Sequence, residues 1–214
     1  MHNNHPSFLI RQGHKVLSNR HVYSMYQYCV GTTAYLDRFL DKKLNEIHGT
    51  QVIDLGCGPR NSLRKIPKTI PYFGVDISRE YLTSAKSKYP WGNFIESDLL
   101  DQKWLSNVSF ASRTSIIGLG ILHHLDDTQV FDLIENLSSK LPKESKLFFV
   151  DPTIEVESTR IAKWFASHDR GQFVRSRDTL SMLLEKTSLN VTTQVTNNEL
   201  NIPFQTVETT ITLK

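Results

Sequence analysis

Three acids each close a short apolar run. Asp54 sits in Val52-Ile53-Asp54-Leu55, Asp76 ends Tyr72-Phe73-Gly74-Val75, and Asp98 follows Phe94-Ile95-Glu96-Ser97. Directly after the first run comes Gly56-Cys57-Gly58-Pro59-Arg60. An apolar run that stops at an acid and breaks into glycines reads as a parallel strand delivering a ligand-binding turn. Glycine is needed where backbone takes positive φ or lies against a ligand with no Cβ in the way. Two such residues around one position floor a site for a flat or extended cofactor. Further along, His123, His124 and His168 supply imidazoles, whose unperturbed pKa lies near working pH. Arg170 and Arg175 supply guanidinium forks that suit an anionic group.

The position of Asp54 bears on which cofactor. In a dinucleotide site, the helix after the turn points its positive N-terminus at a pyrophosphate. A carboxylate two residues before the first glycine opposes that anion. S-Adenosylmethionine has no phosphate and carries a sulfonium and an ammonium, which a carboxylate favours. The dinucleotide fingerprint also fails, because Asn61 stands where the third glycine belongs. Asp76 lies 22 residues after Asp54, where a carboxylate can accept both ribose hydroxyls. Asp98 is placed to accept an adenine amine. Ile77, Leu99, Gly118 and Leu119, beside those acids or closing the fourth run, complete the expected cofactor contacts with Gly56 and Gly58.

The elements that must position these groups follow from periodicity. Residues 1–19 read as a loose arm and 20–47 as one or two helices, with Met25, Tyr26, Cys29, Leu36, Phe39 and Leu40 at helical spacing. Tyr23, Tyr26 and Tyr28 are open to two readings, a substrate cleft or a core-facing helix stripe. A short helix is expected over 61–66 and a second strand over 71–76. Ser78 is the expected N-cap of a helix through Tyr89. Strands follow near 93–97 and 114–119, separated by a weakly patterned crossover over 99–112. Asp126 or Asp127 caps the next helix, whose expected stripe is Val130, Phe131, Ile134 and Leu137. Lys146–Val150 forms a fifth strand, ended by Asp151-Pro152. An added helix over 154–169 carries Ile161, Trp164, Phe165 and His168 at one face. Another helix spans Ser176–Lys186 with Leu180, Leu183 and Leu184 inside, and two closing strands alternate apolar residues with Thr at 191–195 and 207–213. Alternating β and α units predict a parallel sheet with helices on both faces and ligands at the strand C-terminal ends.

In order, the motifs DLGCGP, GVDIS, SDLL, GILHHLDD and LFFVDP resemble those of class I S-adenosylmethionine-dependent methyltransferases. The stretch His168-Asp169-Arg170-Gly171-Gln172-Phe173-Val174-Arg175 is similar to one bacterial small-molecule branch, some of whose members belong to surface-polysaccharide or secondary-metabolite pathways. The resemblance covers about residues 20 to 190. It implies an α/β fold, a Rossmann-like doubly wound, mostly parallel seven-stranded sheet with an antiparallel last strand. It implies one domain over 20–214, with residues 20–47 as a helical cap and 154–187 as a helical insertion near the substrate. It implies S-adenosylmethionine as cofactor and O-methylation of a small molecule or sugar-type acceptor. Two positions depart from the pattern: Arg60 stands where the family carries glycine, and Arg113-Thr114-Ser115 opens the fourth strand where an acid is usual.

In-line transfer to a hydroxyl needs little beyond positioning, dryness and a base. His123, His124 and His168 are the base candidates. Their bland alternatives are a helix cap or packing under aromatic rings. Tyr26, Arg170 and Arg175 are the candidate substrate contacts; for the arginines the alternative is a pair with a nearby carboxylate. The pattern His123-His124 with Asp126-Asp127 matches no standard metal-ligand spacing, so no metal is expected.

The whole chain frames these readings. Its 214 residues suffice for one domain with a full core. Apolar content of 39%, charge of 22% and a net charge of +3 are ordinary for a soluble protein and give no argument for a nucleic-acid surface. Two cysteines, Cys29 and Cys57, make no disulfide framework, which fits a reducing cytoplasm. No apolar run approaches the roughly 18 residues of a membrane span. Two rival functions remain: a methyltransferase acting on RNA or protein, and a non-catalytic cofactor-binding scaffold, for which Arg60 is the main support. The absence of Asn-Pro-Pro-Tyr after the fourth strand lowers the first.

Overall fold

A computed structural model of the chain describes residues 32–47, 50–58, 62–160, 162–163, 172–197, 200 and 205–213. Tyr26, Arg60, His168 and Arg170, together with most of the expected helix over 154–169, lie outside the described residues. The strands are β1 (Gln51–Leu55), β2 (Tyr72–Asp76), β3 (Asn93–Glu96), β4 (Thr114–Leu119), β5 (Lys146–Thr153), β6 (Asn190–Thr196) and β7 (Gln205–Thr212). They form one seven-stranded sheet in the order β3-β2-β1-β4-β5-β7-β6. All pairs among β1 to β5 are parallel, while β7 runs antiparallel to both β5 and β6.

The apolar runs form central strands because both of their faces are covered. Ile53, Leu55, Ile116, Leu147 and Phe149 belong to the core on one face, and Val52, Ile117, Phe148 and Val150 to the core on the other. Four α-helices flank the sheet among the described residues: α1 (Thr32–Ile47), α2 (Arg79–Lys88), α3 (Asp127–Lys140) and α4 (Arg177–Glu185). α1 lays Tyr35, Leu36, Phe39 and Leu40 on the second face; α3 and α4 cover the first with Val130, Leu133, Ile134, Leu137, Leu180, Leu183 and Leu184. Phe131 is only half-buried at the rim of that core, and Leu133 takes the inner place in its stead. Each of the last three helices starts on a side-chain cap. Ser78 accepts from the Tyr81 N–H, Asp126 forms a reciprocal capping box with Gln129, and Ser176 accepts from the Thr179 N–H.

The structure redraws three expected boundaries. Of the helix expected over 61–66, the described residues form a 3-10 turn at Ser62–Arg64. The crossover over 99–112 contains a 3-10 helix, Gln102–Asn107, capped by Asp101 and anchored by buried Trp104 and Leu105. β5 continues past Val150 to Thr153. A proline fits there because β4 has already ended: its last rung is Leu119–Val150, and Pro152 keeps β7 as its neighbour opposite Thr206.

Candidate active site

The parallel strands all end at one edge, and the candidate residues gather along it. Leaving β1, the chain turns through Gly56 and Gly58 with φ of +62° and +53°, a region that costs side chains strain. At Gly56 space is also lacking, since a Cβ there would lie 2.7 Å from Ile121 Cδ1. Between the glycines, Cys57 is buried and its N–H donates to the Val75 carbonyl (3.1 Å), tying the turn to β2. Burial, reinforced by the charges of Asp54 and Asp76, pushes the Cys57 thiol pKa up and makes it an inert packing group.

Asp76 ends β2 and faces the turn. Its Oδ2 accepts the Gly58 N–H and its Oδ1 the Ser78 N–H, both at 2.8 Å. Each carboxylate oxygen has a further lone pair to offer, so the group can still accept a vicinal diol. Next to it, Ile77 is 71% exposed, an uncovered apolar side chain at the rim of the edge. Asp98, at the corresponding end of β3, is exposed and accepts the Leu100 N–H (2.9 Å). Leu99 packs half-buried against the core, and its carbonyl accepts Trp104 Nε1–H.

Asp54 differs from the other two acids. It is 2% exposed, and its Oδ2 accepts the hydroxyls of Tyr72 (2.8 Å) and Ser62. The carboxylate expected to meet a cationic ligand is therefore bonded within the fold.

β4 closes with Gly118 and half-buried Leu119, and Gly120 bends the chain back with φ of +77°. A 3-10 turn, Leu122–His124, follows. Its two histidines differ in burial, His124 exposed and His123 6% exposed, yet they do not point apart: their rings lie together, with centroids 4.2 Å from each other. His123 Nδ1 lies 2.8 Å from Asp151 Oδ1, which also accepts the His123 backbone N–H at 3.1 Å. Among the described residues, the other oxygen of Asp151 is buried without a partner. In the sequence Asp151 marks only the end of the fifth strand; its signal as a site residue is that it is an acid at the end of β5, beside β4.

Arg175, a candidate for anion binding, is turned inward. Its Nε donates to Asp127 (2.8 Å), and its terminal nitrogens donate to the carbonyls of Leu122 (3.0 Å), Phe173 (3.1 Å) and Leu125 (2.7 Å). Four of about five guanidinium donors are thus spent inside the fold. The alternative of a carboxylate pair describes its surroundings better than substrate contact does. Among the described residues, no group of His, Cys, Asp and Glu is arranged to hold a metal, and no helix is long and apolar enough to cross a membrane.

By sequence the chain matches no family model and no curated protein. By structure it is similar to a SAM-dependent methyltransferase from Archaeoglobus fulgidus, with a TM-score of 0.67 and 16% identity, covering 88% of this chain and 99% of that one. It is also similar to magnesium protoporphyrin IX methyltransferase from Synechocystis PCC 6803 with bound SAH (TM-score 0.62, 16% identity, 85% and 84% covered). A third likeness is to the methyltransferase domain of bacterial CtHen1-CN (TM-score 0.59, 19% identity, 84% and 98% covered). These likenesses establish a shared Rossmann-like fold with a mostly parallel seven-stranded sheet.

Proposed function

We propose that this chain is an S-adenosylmethionine-dependent methyltransferase acting on a small-molecule hydroxyl. One observation carries the reading. A glycine turn at positive φ, an acid at the end of β2 with unused lone pairs, and a bare apolar side chain beside that acid share one sheet edge. These groups fit adenosine: Asp76 would hold the ribose hydroxyls, Ile77 and Leu99 the faces of adenine, and Asp98 its amine. Gly118 and Leu119 would border the methionine end. The Archaeoglobus fulgidus and Synechocystis structures, a SAM-dependent and an SAH-bound methyltransferase, support the same cofactor.

Bound there, S-adenosylmethionine would supply an electrophilic methyl whose leaving group is a neutral thioether. The chain's part is to place the acceptor and remove its proton. His123 is the best-framed base. Asp151 fixes the ring through Nδ1, the arrangement that suits an imidazole taking the hydroxyl proton. His124 and His168 stand as alternatives for that role, with Tyr26 and Arg170 as candidate acceptor contacts. The acceptor class rests on the sequence resemblance to small-molecule enzymes.

Calorimetric titration of the purified chain with S-adenosylmethionine, S-adenosylhomocysteine and NAD tests the proposal. Binding of the first two and not the third is expected. Asp76→Ala should weaken that binding about tenfold or more, the loss of charge-assisted hydrogen bonds. Wild-type affinity in this variant would remove the ribose assignment.

A further inference from the structure

Two carboxylates are tied to the glycine turn, one to the turn itself and one to the residue that follows it. Asp76 holds it from the open edge, through the Gly58 N–H. Asp54, buried in β1, bonds Ser62 beyond the turn. The bond from Ser62 to Asp54 joins residues eight apart, one before the turn and one after it, so it closes the loop side chain to side chain. The bond from Tyr72 to the same oxygen crosses from β2 to β1, diagonal to the rung that pairs Val52 with Tyr72. Tyr72 is itself fixed. Its ring is buried and meets Trp91 and Phe94 edge-on, with centroids 6.5 and 6.1 Å away. Burial, then the charge of Asp54, raises the phenol pKa well above its ordinary value, so the hydroxyl stays a donor.

We propose that Tyr72 and Ser62 are positioning residues that hold the cofactor turn in its binding shape through Asp54, and that Asp54 itself makes no contact with the cofactor. This rests on the S-adenosylmethionine reading above. A buried carboxylate must have its lone pairs met, so the two hydroxyls and the acid favour one arrangement over others. That arrangement brings the residue after the turn back against β1. Loss of either hydroxyl leaves β1 and β2 in place but frees the end of the turn. Apparent affinity then falls in proportion to the fraction of molecules in which the turn is formed. A turn formed in one molecule in ten weakens binding about tenfold. Both the methyl donor and its demethylated product need the turn, so both should lose equally.

The test compares wild type, Tyr72→Phe, Ser62→Ala and Ser62→Thr by calorimetry, with S-adenosylmethionine and S-adenosylhomocysteine as probes, and by melting without ligand. Tyr72→Phe keeps the ring, and Ser62→Thr keeps the hydroxyl. The expected result is a dissociation constant about tenfold higher for both probes in Tyr72→Phe and Ser62→Ala, and within about twofold of wild type in Ser62→Thr. A lowered melting temperature with unchanged affinities would overturn the proposal, because it would make the bonds merely stabilising. So would a loss confined to S-adenosylmethionine, which would mean that Asp54 acts on the sulfonium charge. Should Tyr72→Phe fail to fold, the two Ser62 variants decide. Absence of binding by wild type itself would sink the cofactor reading and the inference with it, a result distinct from any difference among variants.

Discussion

At the scale of single residues, the site edge depends on atoms that are absent as much as on those present. Gly118 lies in β4 where Phe149 of the adjacent strand crosses over it. A Cβ at 118 would come within 2.5 Å of Phe149 Cδ1 and 2.9 Å of Ile121 Cγ2. Phe149 is fully buried and cannot swing away without disturbing the core. Gly118→Ala should therefore cost about 1–3 kcal/mol by overpacking, read as a lower urea midpoint at unchanged slope. Phe149→Leu in the same chain should recover part of that loss, so the double variant should be more stable than the two single effects combined imply. A neutral Gly118→Ala would show that the ring is not where the packing is decided. The partners of Asp54 were illegible in the sequence for a related reason. That Tyr72 reaches Asp54 depends on the β1–β2 register, which pairs Tyr72 with Val52 and leaves the acid on the diagonal.

At the scale of elements, the turn after β4 shows how a short segment is fixed when it has no ladder of its own. Its backbone groups are nearly all matched. The His123 N–H goes to Asp151, the His123 carbonyl accepts from Phe173, and the Leu122 and Leu125 carbonyls accept from Arg175. Arg175 is thus a clamp between this turn and the segment leading into α4. A lysine has one ammonium and no fork, so it cannot serve two separated carbonyls and Asp127 at once. Arg175→Lys should lose about 2–3 kcal/mol and speed exchange of the His124 and Leu125 amides. The Leu82 amide in α2, bonded to the Ser78 carbonyl, should keep its protection relative to global unfolding. Equal acceleration of all three amides would mean that Arg175 supports the whole fold and not this turn. The sequence displayed the charge of Arg175 but not its partners, which come from segments about 50 residues apart. The strands were legible because burial on both faces writes an apolar run, and the helix starts because capping chemistry is local. The crossover before β4 was not, since its 3-10 helix buries only Trp104 and Leu105 and leaves no 3.6-residue stripe.

At the scale of the whole molecule, three neutral acids sit at the joints of the architecture. Tyr35 of α1 donates to Glu208 of β7 (3.0 Å), Tyr72 joins β2 to β1, and Cys57 lies in the turn between them. Burial is the main cause that raises all three above their ordinary values of 10.0, 10.0 and 9.0, with nearby carboxylates adding to it. The sign follows from linkage. Unfolded chains release these protons near pH 9 to 10, while folded ones retain them, so the unfolded state binds fewer protons and stability falls as pH rises. Their contribution is intact below pH 9.0 and is lost progressively above it, toward the raised folded values. Each group should steepen the decline by up to about 1.4 kcal/mol per pH unit. Urea midpoints measured from pH 7 to 11 should thus stay level with respect to these groups up to about pH 9 and then drop. Cys57→Ala should remove the earliest part of the drop and Tyr35→Phe part of the later fall, though each also loses packing or a hydrogen bond at every pH. The diagnostic is therefore the slope and not the height of the curve. Midpoints that stay flat to pH 11, or slopes identical in wild type and both variants, would show that these groups open to water without unfolding, and that the joints between α1 and β7 and between β1 and β2 are looser than the packing implies.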